Sequence, residues 1–126
     1  AVKLRLNTRT KFLVSDWSNL TLKNKFDLII SNPPYIKSKD IPSLQKDVQK
    51  YEPITALDGG KDGLDCYRKI FSIMKNFLNK DGVCIIEIGA KQFHPIIKIA
   101  TQHNLKLQNS KKDLSRTIRV MSFSFI

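Results

Sequence analysis

The sequence predicts an α/β fold: a sheet of short strands covered by amphipathic helices and ending in an antiparallel hairpin. Three observations carry this reading. Residues 26–31 and 83–88 are apolar runs of strand length that stop at turn-forming residues, as strands buried in a sheet do. Between them, Tyr67, Ile70, Phe71, Met74, Phe77 and Leu78 recur at helical spacing, with Lys69, Lys75 and Asn76 interleaved. Residues 105–109 and 118–125 then alternate or run apolar, as the last two strands would. At 126 residues the chain amounts to one domain at most, with apolar content for a modest core.

The remaining elements follow in order. Residues 1–9 read as the end of a helix, and 11–15 as a short strand ending at Ser15-Asp16-Trp17. A polar loop, 18–25, leads into the strand at 26–31, whose segment Phe26–Ile30 is apolar except for Asp27 and is expected to be buried on both faces. A long irregular segment, 36–63, is punctuated by Pro42, Pro53 and Gly59-Gly60, with one or two helical turns expected over Leu44 to Tyr51. Loops of this length in small domains are commonly functional, so it is read as substrate-facing. The helix over 65–79 is expected to stop at Asp81-Gly82 before the strand at 83–88. Glu87 in that strand needs a partner, either as support for the loop at residues 31–36 or as a capped structural carboxylate. A further helix over 93–103 takes Pro95 in its first turn and turns Ile96, Ile97 and Ala100 inward. An Asp113 to Arg119 pair is expected to close the final hairpin.

Composition bounds the function classes. The net charge is +11, from 22 basic against 11 acidic residues, and a basic surface attracts RNA, ribosomes or acidic proteins. Lysine supplies 17 of those 22 and arginine only 5, spread without a dense arginine patch amid many Ile, Asn and Phe. That pattern favours the compositional bias of an AT-rich genome over a dedicated nucleic-acid face. Cys66 and Cys84 lack metal or redox spacing and suit a reducing, cytoplasmic location. His94 and His103 read as surface residues, no metal site is expected, and no stretch reads as a signal peptide or membrane span.

Chemistry concentrates where the strand at 26–31 stops, at Ser31-Asn32-Pro33-Pro34-Tyr35. Pro33 forces Asn32 into extended angles, Pro34 does the same to Pro33, and neither proline has an N–H. The Asn32 side-chain oxygen and a nearby carbonyl are thus two acceptors on a stiff loop, suited to the two hydrogens of one NH2 group. Tyr35 adds an aromatic face for the planar group that carries it. Holding both N–H bonds from one side biases a delocalised nitrogen toward a tetrahedral shape and aims its lone pair at an electrophile opposite, which is the logic of N-methylation.

Asn32-Pro33-Pro34-Tyr35 resembles the NPPY motif of class I S-adenosylmethionine methyltransferases that act on planar nitrogens. Tyr51-Glu52-Pro53 followed by Ala56-Leu57-Asp58-Gly59-Gly60-Lys61-Asp62-Gly63-Leu64 narrows the resemblance to release factor glutamine N5-methyltransferases, the HemK/PrmC family. The resemblance implies a Rossmann-like fold, S-adenosyl-L-methionine as cofactor and a peptide chain release factor as protein substrate in translation termination, with nucleic acid not required. It implies that Asn32, Pro33 and Tyr35 act at the reacting amide, with Pro34 in the same substrate pocket; Glu52, held extended by Pro53, either shapes that pocket or anchors the loop to backbone donors. Asp16 would accept from the adenine amino group of the cofactor, Trp17 would lie beside its ring, and Asn32 would complete that site. Gly59 and Gly60 would permit positive φ, letting the chain double back over the motif.

One departure qualifies the resemblance. The family's glycine-rich cofactor loop follows its first strand, and no such loop occurs here, since Gly59, Gly60 and Gly63 do not lie between a strand and a helix in the required way. Residues 1–126 are therefore read as the C-terminal portion of one catalytic domain, incomplete in its N-terminal strands, inactive alone and partnered by a missing N-terminal half. Two alternatives stand beside this reading: an adenine-N6 methyltransferase acting on a flipped base in DNA or RNA, and an inactive or binding fragment.

Overall fold

A computed structural model describes residues 1–16, 19–44 and 51–126. Its centre is a four-stranded sheet in the order β1-β2-β4-β3. The strands are β1 (Phe26–Ser31), β2 (Leu78–Glu87), β3 (Leu105–Lys112) and β4 (Ile118–Phe125). β1 pairs parallel with β2, and β4 pairs antiparallel with both β2 and β3. The last strand in sequence is thus wedged between two strands that share the opposite direction.

Among the described residues three α-helices accompany the sheet: α1 (Ile54–Leu57), α2 (Asp65–Phe77) and α3 (Phe93–Gln102). α2 forms where the apolar spacing places it, and it buries Tyr67, Ile70, Phe71, Met74 and Phe77. α3 buries Ile96, Ile99 and Ala100, while Ile97 is half-buried. Between the helices and the strands lies one core, in which Phe71 meets Phe123 edge to face with ring centroids 5.2 Å apart. That geometry is the favoured one for a pair of aromatic quadrupoles. Cys84 is buried there as a free thiol, and its pKa is pushed up to about 12 by burial. No described helix is long and apolar enough to cross a membrane.

Several expectations are corrected. Residues 11–15 form no strand: Phe12 and Val14 are almost fully exposed, and none of the described strands pairs with this stretch. Residues 1–9 hold only a short 3-10 turn, Val2–Leu4, followed by turns. β1 is not buried on both faces. Phe26, Leu28 and Ile30, which alternate onto one face, are 43%, 51% and 69% exposed, so that face is largely uncovered, and β2 is the only described strand beside β1. α2 ends at Phe77 rather than at Asp81-Gly82, and β2 begins at once with Leu78.

Asp81 and Gly82 instead lie in a bulge, where the register against β1 jumps from Phe26↔Leu78 to Leu28↔Val83. Asn79 anchors the jump by donating to Asp27 Oδ1 at 2.6 Å. α1 and a 3-10 stretch, Ser38–Ser43, give order to the loop read as irregular. The helical turns expected over Leu44 to Tyr51 fall largely outside the described residues.

The hairpin β3-β4 closes as expected through Arg119 Nε, which donates to Asp113 Oδ2 at 2.9 Å. Asp113 also accepts from the Thr117 N–H at 2.9 Å. The Arg119 hydrogen bond, followed by that of Thr117, holds the Asp113 carboxyl below its usual pKa. A depressed carboxylate contributes stability above its unfolded pKa, about 3.9, and loses it as pH falls through the lower folded value. The melting temperature of the wild type is therefore expected to fall more steeply than that of Asp113→Asn below about pH 4, as followed by circular dichroism. Phe71→Ala, which empties the aromatic contact, is expected to lower unfolding free energy by about 3–5 kcal/mol in urea titration.

Candidate functional site

β1 delivers Asn32 to the end of the sheet, and the two prolines then turn the chain. Asn32 is exposed, Pro33 is fully buried, and Pro34 and Tyr35 are half-buried. The loop is next tied to the segment that follows α1. Ile36 N–H donates to the Leu57 carbonyl at 3.0 Å, Gly59 N–H donates to the Ile36 carbonyl at 2.8 Å, and Ile36 bridges Asp58 in parallel. Asp58 holds the turn, accepting from Ser38 Oγ at 2.7 Å and the Gly60 N–H at 2.9 Å. Those two hydrogen bonds, Ser38 first, lower its pKa.

The glycines make this doubling-back possible, by a route that differs from the expected one. Gly60 and Gly63 have positive φ, at 88° and 78°, whereas Gly59 does not. Gly59 is required by space: a Cβ there would stand 2.8 Å from the Tyr35 Cα. At Gly63 a Cβ would stand 2.6 Å from the Tyr35 carbonyl oxygen.

Asn32, Pro33, Pro34, Tyr35 and Glu52 come together as walls of one cavity of about 340 Å³, completed by Ile36, Ala56 and Leu57. Asp16 is not among these walls and lies in an exposed segment. Trp17 falls outside the described residues. Of the two described residues expected at the cofactor, Asp16 and Asn32, Asn32 lines this cavity. A second cavity, of about 490 Å³, shares Tyr35 and Ile36 and is otherwise walled by residues that include Lys37, Asp62, Lys91 and Gln92. No cluster of three or more metal-ligating side chains occurs among the described residues.

Tyr35 is held at both ends. Its hydroxyl donates to Glu87 Oε1 at 3.4 Å, so the carboxylate in β2 finds its partner in the motif loop. Burial, followed by the Glu87 charge, raises the Tyr35 pKa, and the nearby Arg119 opposes this. Arg119 also reaches the Ile88 carbonyl at 3.5 Å, linking the terminal hairpin to the same corner.

At the other end of Tyr35, its carbonyl accepts from Gln92 Nε2 at 3.1 Å. Sequence reading passed over Gln92. A glutamine three residues after a glycine at a strand end carries weak local signal, and only the tertiary structure reveals what its amide spans.

Gly63→Ala places a side chain at positive φ, which costs about 1–2 kcal/mol, and presses on the Tyr35 carbonyl. The variant is expected to unfold at lower urea concentration than the wild type and to bring the Tyr35 and Ile36 amides into faster exchange by NMR than the β3-β4 residues.

Comparisons with known proteins point to methyltransferases. A family model described as Eco57I restriction-modification methylase matches residues 3–119. The release factor glutamine methyltransferase of Clostridium acetobutylicum is 43% identical over 97 residues, covering 77% of this chain and 34% of that protein. The protein of the same name from Agrobacterium fabrum is 35% identical over 123 residues, covering 98% of this chain and 42% of that protein. The bifunctional methyltransferase of Rickettsia bellii is 37% identical over 126 residues, covering 100% of this chain and 23% of that protein. The chain thus spans 23% to 42% of the length of these curated relatives. The resemblance read from its motifs extends over most of its residues, and the mixed sheet with its wedged antiparallel strand is a partial class I methyltransferase fold. By the match across residues 3–119, the chain belongs to the methylase family that the Eco57I model describes.

Proposed function

We propose that these residues form part of the catalytic domain of an S-adenosylmethionine-dependent methyltransferase that methylates the N5 of a glutamine side-chain amide in a peptide chain release factor. The observation that carries this reading is the single cavity walled by Asn32, Pro33, Pro34, Tyr35 and Glu52. Its composition fits a carboxamide: an exposed side-chain acceptor beside a proline-stiffened backbone, with an aromatic ring at the next turn of the chain. The names of the relatives supply the release factor as substrate and the methyl transfer as reaction.

In this reading the Asn32 side-chain oxygen and the Pro33 carbonyl accept from the two N–H bonds of the substrate amide. Tyr35 packs on its plane, and Glu52 shapes the far wall. S-adenosylmethionine, when bound, would supply an electrophilic methyl carbon, and Asn32 would help to hold it. Fixing both N–H bonds orients the amide nitrogen, and its surplus proton leaves to solvent, so no strong general base is required. The remainder of the cofactor site, and a partner half that completes the sheet beyond β1, belong to the same proposal.

A second reading is favoured by the restriction-modification description of the matching family: the same corner would grip the exocyclic amine of an adenine. Labelled-methyl transfer by the longer protein that carries these residues separates the two. Label is expected in a release factor glutamine and not in DNA or RNA, and Asn32→Ala is expected to lower turnover about 100-fold or more. Label found in nucleic acid alone would establish the second reading instead.

A further inference from the structure

We infer that Gln92 is a positioning residue for the methyl transfer: its side-chain amide sets the register of the Asn32–Tyr35 loop from the opposite side of the backbone. The inference rests on the function proposed above and adds to it a residue outside the motif.

A carboxamide offers two N–H donors and an oxygen with two lone pairs, and here every one of them is engaged. Gln92 is 9% exposed. Its Nε2 donates to the Tyr35 carbonyl at 3.1 Å and to the Gly63 carbonyl at 3.0 Å. Its Oε1 accepts from the Gly89 N–H at 2.9 Å and faces the Tyr67 hydroxyl at 3.3 Å. That hydroxyl lies 3.1 Å from the Glu87 carbonyl as well, so its single proton is shared. Turning the amide over would set its oxygen against two carbonyls and its NH2 against the Gly89 N–H, so the surroundings permit one orientation only. One side chain at the start of α3 thus joins the end of β2, the turn before α2 and the motif loop.

The prolines give this anchor its reach. Between Asn32 and the Tyr35 carbonyl stand Pro33 and Pro34, whose φ angles are fixed by their rings, so few torsions separate the anchored carbonyl from the Asn32 side chain. With Gln92 on the carbonyl and Glu87 on the phenol, Tyr35 becomes a fixed post from which a stiff arm presents Asn32. Glutamine suits position 92 for a reason neither leucine nor glutamate shares: leucine would leave both carbonyls without a donor, and glutamate would oppose them with an oxygen.

The test compares three variants in the active methyltransferase that carries these residues. Gln92→Glu keeps the shape and reverses the polarity toward the two carbonyls, and Gln92→Met removes the donors without adding charge. Tyr67→Phe loses the contact to Oε1 and touches neither carbonyl. Both Gln92 variants are expected to lower kcat about 10- to 100-fold, with the KM for the methyl donor within about threefold of wild type. Tyr67→Phe is expected to stay within about threefold in both.

A readout independent of the reaction is amide hydrogen exchange in the 126-residue chain. The Ile36 and Gly59 amides are expected to exchange about tenfold faster in the Gln92 variants, while β4 amides do not change. A folded Gln92 variant that turns over like the wild type, unchanged exchange at Ile36 and Gly59, or a loss in Tyr67→Phe as large as in the Gln92 variants would each overturn the inference. Failure of the wild type to label a release factor glutamine would overturn the proposed function, and the exchange result would then still decide the role of Gln92 in fixing the loop.

Discussion

The arrangement depends on how closely other backbone approaches Tyr35. Gly59, Gly63 and Gly89 surround this residue so tightly that a Cβ at each would stand 2.8 Å from its Cα, 2.6 Å from its oxygen and 2.9 Å from its Cδ2. The contact brings two chain segments, 59–63 and the one just past β2 at Gly89, onto one aromatic residue distant from both in sequence. Side chains then lock what the missing Cβ atoms admit: Gln92 on the carbonyl and Glu87 on the phenol. The glycine cluster at residues 59–63 therefore acts as a seat for the motif loop. It follows α1 rather than a strand, so although α2 comes after it, the strand-before context of a phosphate-cradling loop is absent, and its glycines serve packing and turn geometry.

Charge organises the periphery of this corner. Arg68 pairs with Asp62 and, at 2.7 Å, with Asp65, so the acidic residues that follow the glycine seat are bound to the first turns of α2. Asp62 also accepts from the Leu64 N–H at 3.0 Å, which fixes the entry to that helix. On the opposite flank the Asp113 to Arg119 pair carries the terminal hairpin to the Ile88 carbonyl beside Glu87. The excess of lysines contributes to neither of these links, in keeping with a compositional origin for much of the +11.

Much of the fold was legible because periodicity is a local property. The spacing of Tyr67, Ile70, Phe71, Met74 and Phe77 is that of one helical face, and α2 buries those residues. The strand expected at 26–31 and the last one at 118–125 coincide with β1 and β4 in their bounds. Failures occurred where a neighbour decides the outcome. The apolar stretch at 11–15 carries strand propensity but pairs with none of the described strands, and β1 is half-exposed because burial belongs to the sheet and not to the strand. Asp81-Gly82 has the composition of a helix stop, yet the same residues serve a bulge that brings β2 into register with β1. At the site, the stiffness of Asn32-Pro33-Pro34 was readable from covalent chemistry alone. The grip of Gln92 was not, because a buried amide acquires its meaning from four partners drawn from positions 35, 63, 67 and 89.

The wedged position of β4 also constrains how the molecule is made. β4 follows every other strand in sequence but pairs with both β2 and β3, so a nascent polypeptide synthesised only as far as the hairpin turn has no ladder between those two. On the ribosome, β1 and β2 can join around α2 as a local unit, whereas β3 must wait for the residues behind it. Premature termination within the hairpin would therefore detach β3 and strip β2 of its second neighbour, and Arg119, which braces the corner at Glu87, would be lost with it.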